Sequence, residues 1–166
     1  SRFNLGSLLA GSPRLAFDAW LSHTRADRRA PIMNLFNHTP TPIEEGWSVR
    51  KRQMCDFRGG TLTYDSHNGT DFAIPPGTPF TTPAAGYVVR VSNEFHRGGL
   101  KIVIYHGGTL MTTSNHLGRV TVRVGDRLTR GQRIGLSGAS GLDMVAGFPW
   151  ISPHVHFNTW LNGEPV

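Results

Sequence analysis

The sequence predicts an all-β fold, a two-sheet and largely antiparallel β-sandwich-like domain with a short helical N-terminal extension. The first observation is that, from Trp47 onward, short runs rich in β-branched and aromatic residues alternate with glycine and proline, which is typical of strands joined by turns. The second is that residues 100–106 and 109–115 flank Gly107 and Gly108, a connection that suits a tight antiparallel hairpin. The third is that the one predicted helix lies before Trp47.

Residues 12 to about 29 form the predicted N-terminal helix. Ser12 is a suitable N-cap, and Pro13 fits the first helical position because its missing N–H would have no partner there. Leu15 and Ala19 are four residues apart and therefore share one face of the helix. These features predict one short helix at the start of the chain.

Residues 30–46 contain three prolines and no clear periodicity, and this pattern indicates an extended linker that ends near Gly46. The sequence therefore predicts two parts. Residues 1–46 form the helical segment and linker, and residues 47–166 form the β domain.

The charge of the chain favours an anionic environment. Lys and Arg total 17 against 11 Asp and Glu, which gives a formal net charge of +6. Nucleic acid, acidic lipid and an anionic cell wall would all attract such a protein. Most of the basic residues are dispersed along the chain, and no compact basic arm of the kind that binds nucleic acid is visible.

Chain length and composition exclude several other classes of protein. The 166 residues suit one ordinary domain that can bury a core without disulfide bonds. Cys55 is the only cysteine, so an internal disulfide and a multi-cysteine zinc ribbon are excluded. No apolar run approaches the roughly 18 residues that a membrane-spanning helix needs.

Two pairs of residues predict a metal site. His154 and His156 flank Val155 in a strand-like run, and side chains at i and i+2 of a strand point to the same face about 7 Å apart. A half-exposed strand that happens to carry two histidines is the alternative. Upstream, His67 and Asp71 are four residues apart around Gly69, where a turn would bring an imidazole and a carboxylate to one ion. A solvated turn is the alternative there.

Together the two pairs supply candidates for three protein ligands and leave a fourth position open for water. This composition is typical of a catalytic zinc site rather than of a closed structural one. The combination is far more specific than either pair alone.

The motifs around these residues resemble those of the lysostaphin-type, LytM-like zinc endopeptidases, which cut peptide bonds in bacterial peptidoglycan. The resemblance covers residues 60–165, and the motifs fall in family order. They are HNGTDFAIPPGTPF, PAAGYVVRV, LKIVIYHGG, SNHLGRVTVRVGDRLTRGQRIGLSGASG and SPHVHFNTW. The resemblance implies an all-β zinc-dependent endopeptidase that hydrolyses peptide cross-links through a water molecule activated by zinc.

The resemblance also assigns a role to each candidate residue. It makes His67, Asp71 and His156 the ligands of one zinc ion per chain, and it places His116 and His154 beside the attacking water as catalytic residues. Its implied partner is the peptide part of peptidoglycan, and its implied location is the cell envelope, periplasmic or secreted. Anionic wall polymers would be a further partner of a basic protein.

This chain departs from the family pattern at two places. Ser114 stands where the family commonly has an aromatic residue, so one wall of the substrate cleft is expected to differ. Residues 142–152, LDMVAGFPWIS, are longer and more apolar than the usual loop before the last motif. Phe148 and Trp150 in this insertion either line the cleft or pack against the N-terminal helix.

Other functions compete with this interpretation. A catalytically inactive relative that activates partner cell-wall hydrolases would keep the fold, but such domains usually lose ligand residues. A latent enzyme would be blocked by Asn34, Asn37 or His38 from the linker. A biotin or lipoyl carrier needs a lysine at a hairpin tip, where neither Lys51 nor Lys101 lies. A nucleic-acid binder would depend on charge alone, so no nucleic-acid partner is predicted.

Overall fold

The computed structural model describes residues 13–21, 30–36, 40–42, 62–64, 67–96 and 98–166. These residues form a mostly β protein with antiparallel strands and two short helices, which confirms the predicted class. None of the described helices is long and apolar enough to cross a membrane. The elements are α1 (Pro13–Trp20), β1 (Ile32–Asn34), β2 (Pro40–Pro42), β3 (Leu62–Tyr64), β4 (Thr70–Ala73), β5 (Pro79–Thr81), β6 (Gly86–Glu94), β7 (Gly99–Gly107), β8 (Leu110–Val120), β9 (Arg127–Leu128), β10 (Arg133–Ser137), α2 (Leu142–Gly147), β11 (His154–Leu161) and β12 (Glu164–Pro165).

Ten of the described strands belong to one hydrogen-bonded sheet. Its main path runs β1-β4-β11-β8-β7-β6-β9, while β10 pairs with both β5 and β8 and β12 pairs with β11. Strands β2 and β3 form a separate two-stranded sheet. The sandwich of two facing sheets stays a prediction, since the strand pairing establishes the antiparallel arrangement only.

The predicted central hairpin is confirmed. Strands β7 and β8 pair in antiparallel register, with Ile104 opposite Thr112 and Gly107 opposite Leu110, and the turn between them is formed by Gly108 and Thr109. Both glycines have positive φ, 101° and 58°. A residue with a Cβ rarely adopts this conformation, so the glycine pair explains where the hairpin turns.

Strand β8 changes partner along its length. Its first part, up to Asn115, pairs with β11, and its last part, from Leu117, pairs with β10. His116 lies between the two parts with a φ of 58°, and its backbone N–H donates to Gly98 O at 2.9 Å. A non-glycine residue with positive φ is uncommon, and such residues cluster at functional sites.

The hydrophobic core lies among the inward-facing residues of the central strands. The buried cluster comprises Val88, Ile102, Ile104, Leu117, Leu128, Ile134 and Val155. Val155 belongs to this cluster because it points to the face of β11 opposite to its two histidine neighbours. Packing of Val155 therefore helps to orient both histidines.

The N-terminal region differs in part from its prediction. Helix α1 occupies the beginning of the predicted helix, and Ala19 is buried, while residues 22–29 lie outside the described residues. The predicted linker contains β1, which pairs with β4, and Pro31 O accepts a hydrogen bond from Ala73 N at 2.8 Å. The sequence does not predict this pairing, because it is made by backbone hydrogen bonds, which do not depend on a side-chain pattern.

Candidate metal centre and catalytic histidines

The predicted metal ligands meet where β4 lies beside β11. The pairing places His156 directly opposite Asp71, and His67 precedes β4. His67 Nε2 lies 3.0 Å from Asp71 Oδ2, and His156 Nδ1 lies 2.9 Å from Asp71 Oδ1. The three residues offer ligand atoms that all lie within 4.8 Å of one another. The structure thus brings together two pairs that are far apart in the sequence.

The donor set and its spacing fit a zinc ion. Zinc ligands lie about 2.0–2.2 Å from the ion at tetrahedral angles, so neighbouring donor atoms are roughly 3.3–3.6 Å apart. The two nitrogen-to-oxygen distances, 3.0 and 2.9 Å, are slightly shorter than this spacing. Small side-chain movements would therefore admit an ion between His67, Asp71 and His156, and three protein ligands leave a fourth position open.

Asp71 is held in its ionised form. Burial alone would raise its pKa, but hydrogen bonds with His156 and His67, together with the nearby His154, hold the pKa of this carboxyl group well below its usual range. Metal ligands must be deprotonated to bind. Asp71 is therefore prepared for coordination near neutral pH.

Gly69 is needed for close packing and not for a positive φ. A Cβ at this position would lie 2.4 Å from Phe157 O, 2.9 Å from Asn158 Nδ2 and 3.0 Å from His156 Nε2. The chain bends at Asn68 and Gly69, as expected, and the glycine is required there for space. Only glycine lets the segment that carries His67 approach β11 so closely.

Gly69→Ala should weaken the metal site and the fold together. The added methyl group must push β11 and His156 away, and overpacking of this kind typically costs about 1–3 kcal/mol. Thermal unfolding of the metal-free protein and a zinc titration would measure the two effects. Gly77→Ala is the matched control, because Gly77 has a φ of +85° with nothing within 4 Å. That variant should lose stability only, and equal zinc affinity in Gly69→Ala and wild type would contradict the prediction.

His154 lies beside the metal cluster. Its Nδ1 contacts Ser152 O at 2.8 Å, and its Nε2 lies 3.6 Å from Asp71 Oδ1. Because a carbonyl oxygen only accepts, Nδ1 carries the proton in the neutral ring and Nε2 has the lone pair. The prediction that His154 and His156 point to one face is confirmed, since both reach the same carboxylate.

His116 completes the group of five predicted residues. Its ring centroid lies 4.8 Å from that of His154 and 6.2 Å from that of His156. His116 Nδ1 contacts Ser140 O at 2.9 Å, which again leaves Nε2 for proton exchange. Burial, reinforced by the nearby His154, lowers the pKa of His116. A neutral imidazole that can accept a proton is thereby favoured.

The insertion packs against helix α1, which was one of the two arrangements expected for Phe148 and Trp150. Trp20 Nε1 donates to Ile151 O at 2.8 Å, and the Trp20 ring meets the Phe148 ring at 5.0 Å. Phe17 and Trp150 form a second edge-to-face pair at 6.0 Å. Phe148 and Trp150 still expose more than half of their surface, 60% and 53%.

The other residues singled out from the sequence do not belong to this group of five. Ser114 is buried opposite Phe157, so its small side chain faces packed residues. Asn34 stands opposite Asp71 in the β1–β4 register with an exposed side chain, whereas Asn37 and His38 lie outside the described residues. His106 uses both ring nitrogens in hydrogen bonds with Ala85 O and Thr112 Oγ1 and takes no part in the cluster.

Comparison with known proteins identifies the family. The family model described as Peptidase family M23 matches residues 65–166, which is more than half of the chain. The chain belongs to peptidase family M23. The M23 region includes both ligand pairs and both candidate catalytic histidines, and the resemblance expected from the motifs is confirmed.

Individual M23 relatives agree with this assignment. The chain is 46% identical over 126 residues to the peptidoglycan DD-endopeptidase ShyA of Vibrio cholerae serotype O1, an alignment that covers 75% of this chain and 27% of ShyA. A zinc-containing peptidase from Vibrio cholerae has a crystal structure that matches with a TM-score of 0.56 and 27% identity, over 86% of this chain and 44% of that one. Lysostaphin from Staphylococcus simulans matches with a TM-score of 0.51 and 32% identity, over 58% and 38%. The M23 chain thus spans about a quarter of the length of ShyA.

Sequence reasoning missed two partners of His116 in the M23 chain. Ser140 O contacts its Nδ1, and Asp143 Oδ2 lies 3.4 Å from its Nε2. Ser140 lies just before the insertion, and Asp143 is its second residue. The only signal in the sequence is an acidic residue close behind a glycine in an otherwise apolar segment.

Proposed function

We propose that this chain is a zinc-dependent endopeptidase that hydrolyses peptide cross-links of bacterial peptidoglycan, with one zinc ion held by His67, Asp71 and His156. The observation that carries the proposal is the meeting of these three donors within 4.8 Å of one another. The similarity to ShyA, named as a peptidoglycan DD-endopeptidase, supports a D,D peptide bond as the bond that is cut.

Bound zinc supplies Lewis acidity, which polarises a peptide carbonyl and makes a water molecule acidic near neutral pH. The chain itself supplies the proton transfers. A backbone carbonyl accepts a hydrogen bond from Nδ1 of each ring, so Nε2 is the nitrogen of His154 and of His116 that can exchange a proton. In His116 this nitrogen also faces Asp143 Oδ2 at 3.4 Å. A neutral Nε2 can accept a proton from the attacking water, and a protonated Nε2 can stabilise the oxyanion or protonate the leaving amine. His116 and His154 share these roles.

The domain division and location are part of the same proposal. Residues 47–166 form the catalytic β domain, which the family match over 65–166 supports, and residues 1–46 precede it and add β1 to its sheet. The predicted sandwich of two sheets would place the ligand-bearing strands β4 and β11 at one face of the core. The cell envelope, periplasmic or secreted, is where peptidoglycan lies, and the net charge of +6 favours anionic wall polymers as a further partner.

Metal removal tests the proposed function. Wild-type protein is incubated with purified peptidoglycan and with a dimer of stem peptides joined by a D,D bond, and the products are separated by chromatography. We expect cleavage by zinc-loaded protein, loss of cleavage after chelation, and recovery after zinc is added back. The inactive-scaffold alternative requires the opposite result, namely no cleavage of either substrate by protein that carries about one equivalent of zinc.

A further inference from the structure

The residues that lead into the insertion are fixed beside His116, whose Nδ1 contacts Ser140 O. Ser140 Oγ donates to Leu117 O at 2.8 Å and accepts from Leu100 N at 2.8 Å. Two residues further on, Leu142 N donates to Phe95 O at 2.7 Å. These bonds connect the segment before α2 to β7, to β8 and to the turn after β6. The position at which α2 begins is therefore determined by the sheet.

Asp143 is the next residue and lies in the first turn of α2. Its Oδ2 lies 3.4 Å from His116 Nε2, and its side chain is 57% exposed whereas that of His116 is 5% exposed. Gly141 makes room for this arrangement with a φ of 110°, since a Cβ there would lie 2.7 Å from Asp143 Oδ1 and 2.9 Å from Gly99 N. Ser140 O thus accepts a hydrogen bond from Nδ1, and Asp143 Oδ2 faces Nε2 on the other side of the ring.

The two contacts differ in chemistry. Nδ1 donates its proton to Ser140 O, so Nε2 of the neutral ring presents a lone pair to a carboxylate that can only accept. The Asp143 contact becomes favourable when Nε2 carries a proton, which is the state that His116 reaches when it takes a proton during turnover. An interaction that strengthens only in the transition state raises kcat and leaves KM unchanged.

We propose that Asp143 is a positioning residue that acts through His116 by aligning and stabilising its protonated ring during peptide-bond hydrolysis. This inference rests on the proposed function. Because the carboxylate is more than half exposed and water screens its charge, its effect is modest, and kcat should fall roughly 2- to 5-fold when the charge is removed.

The test uses Asp143→Asn, Asp143→Ala and Asp143→Glu in the zinc-loaded chain, with zinc content measured for each. Asparagine and alanine should lower kcat without changing KM, and glutamate should restore part of the rate. Val145→Ala is the control, because Val145 lies in the same helix and is 61% exposed. In a His116→Ala background, Asp143→Asn should have no further effect, since non-additivity marks residues that act as a unit.

A second measurement does not need activity. In 1H–15N spectra of the metal-free protein at a fixed pH, the Nε2 resonance of His116 should shift in Asp143→Ala and stay unchanged in Val145→Ala. An unchanged resonance, wild-type kcat in Asp143→Asn, or a change in KM alone would overturn the inference. A faster enzyme in Asp143→Ala would show instead that the carboxylate obstructs the substrate. Zinc-loaded wild-type protein that cleaves no substrate contradicts the proposed function, which is a different outcome.

Discussion

His156→Ala is expected to lose zinc binding and peptide cleavage together. The substitution removes the Nδ1 atom that lies 2.9 Å from Asp71 Oδ1, and it leaves His67 and Asp71 as a two-donor site. Two protein donors do not complete a catalytic zinc site, which uses three. Elemental analysis of the purified variant should therefore find almost no zinc, where the wild type holds about one equivalent.

A histidine outside the cluster provides the matched control. His106→Ala removes an imidazole from the same sheet, one whose ring nitrogens contact Ala85 O and Thr112 Oγ1. This variant should keep its zinc and its activity. Circular dichroism would verify that both variants are folded. Full zinc content in His156→Ala would show that the ion binds elsewhere.

His116→Ala and His154→Ala are expected to keep zinc while losing most of the cleavage. Neither side chain belongs to the donor cluster of His67, Asp71 and His156. General acid or base groups typically contribute about 10² to 10⁴ in rate, so kcat should fall by that factor, and by more where the same ring stabilises the oxyanion. Zinc stoichiometry and turnover of a cross-linked peptide are measured on the same preparation of each variant.

Two results would change the roles of these histidines. Zinc loss in His154→Ala with zinc retention in His156→Ala would show that the two residues of the His-x-His motif have exchanged roles. Full activity in His116→Ala would remove His116 from the mechanism, and with it the proposed action of Asp143.

Local rules account for the parts of the site that lie close together in the chain. The period of two along a strand is enough to place His154 and His156 on one face with Val155 behind them, and β11 has this arrangement. The glycine pair at positions 107 and 108 predicts the hairpin in the same way, because both residues adopt the positive φ that so short a connection favours. Motif order carried the family assignment, including the contribution of His116, which no local rule would have placed near the others.

By itself, the sequence determined the β class, the central hairpin, the common face of the two histidines and the donor types available for zinc. The tertiary structure decided which strands become neighbours, and the hydrogen bond between His156 and Asp71 joins residues 85 positions apart. It also decided that Gly69 serves close packing, that His116 adopts a φ of 58°, and that Asp143 reaches its ring. The physical reason is that periodicity and turn chemistry act over a few residues, whereas strand order and side-chain meetings depend on how the whole sheet pairs and buries its core.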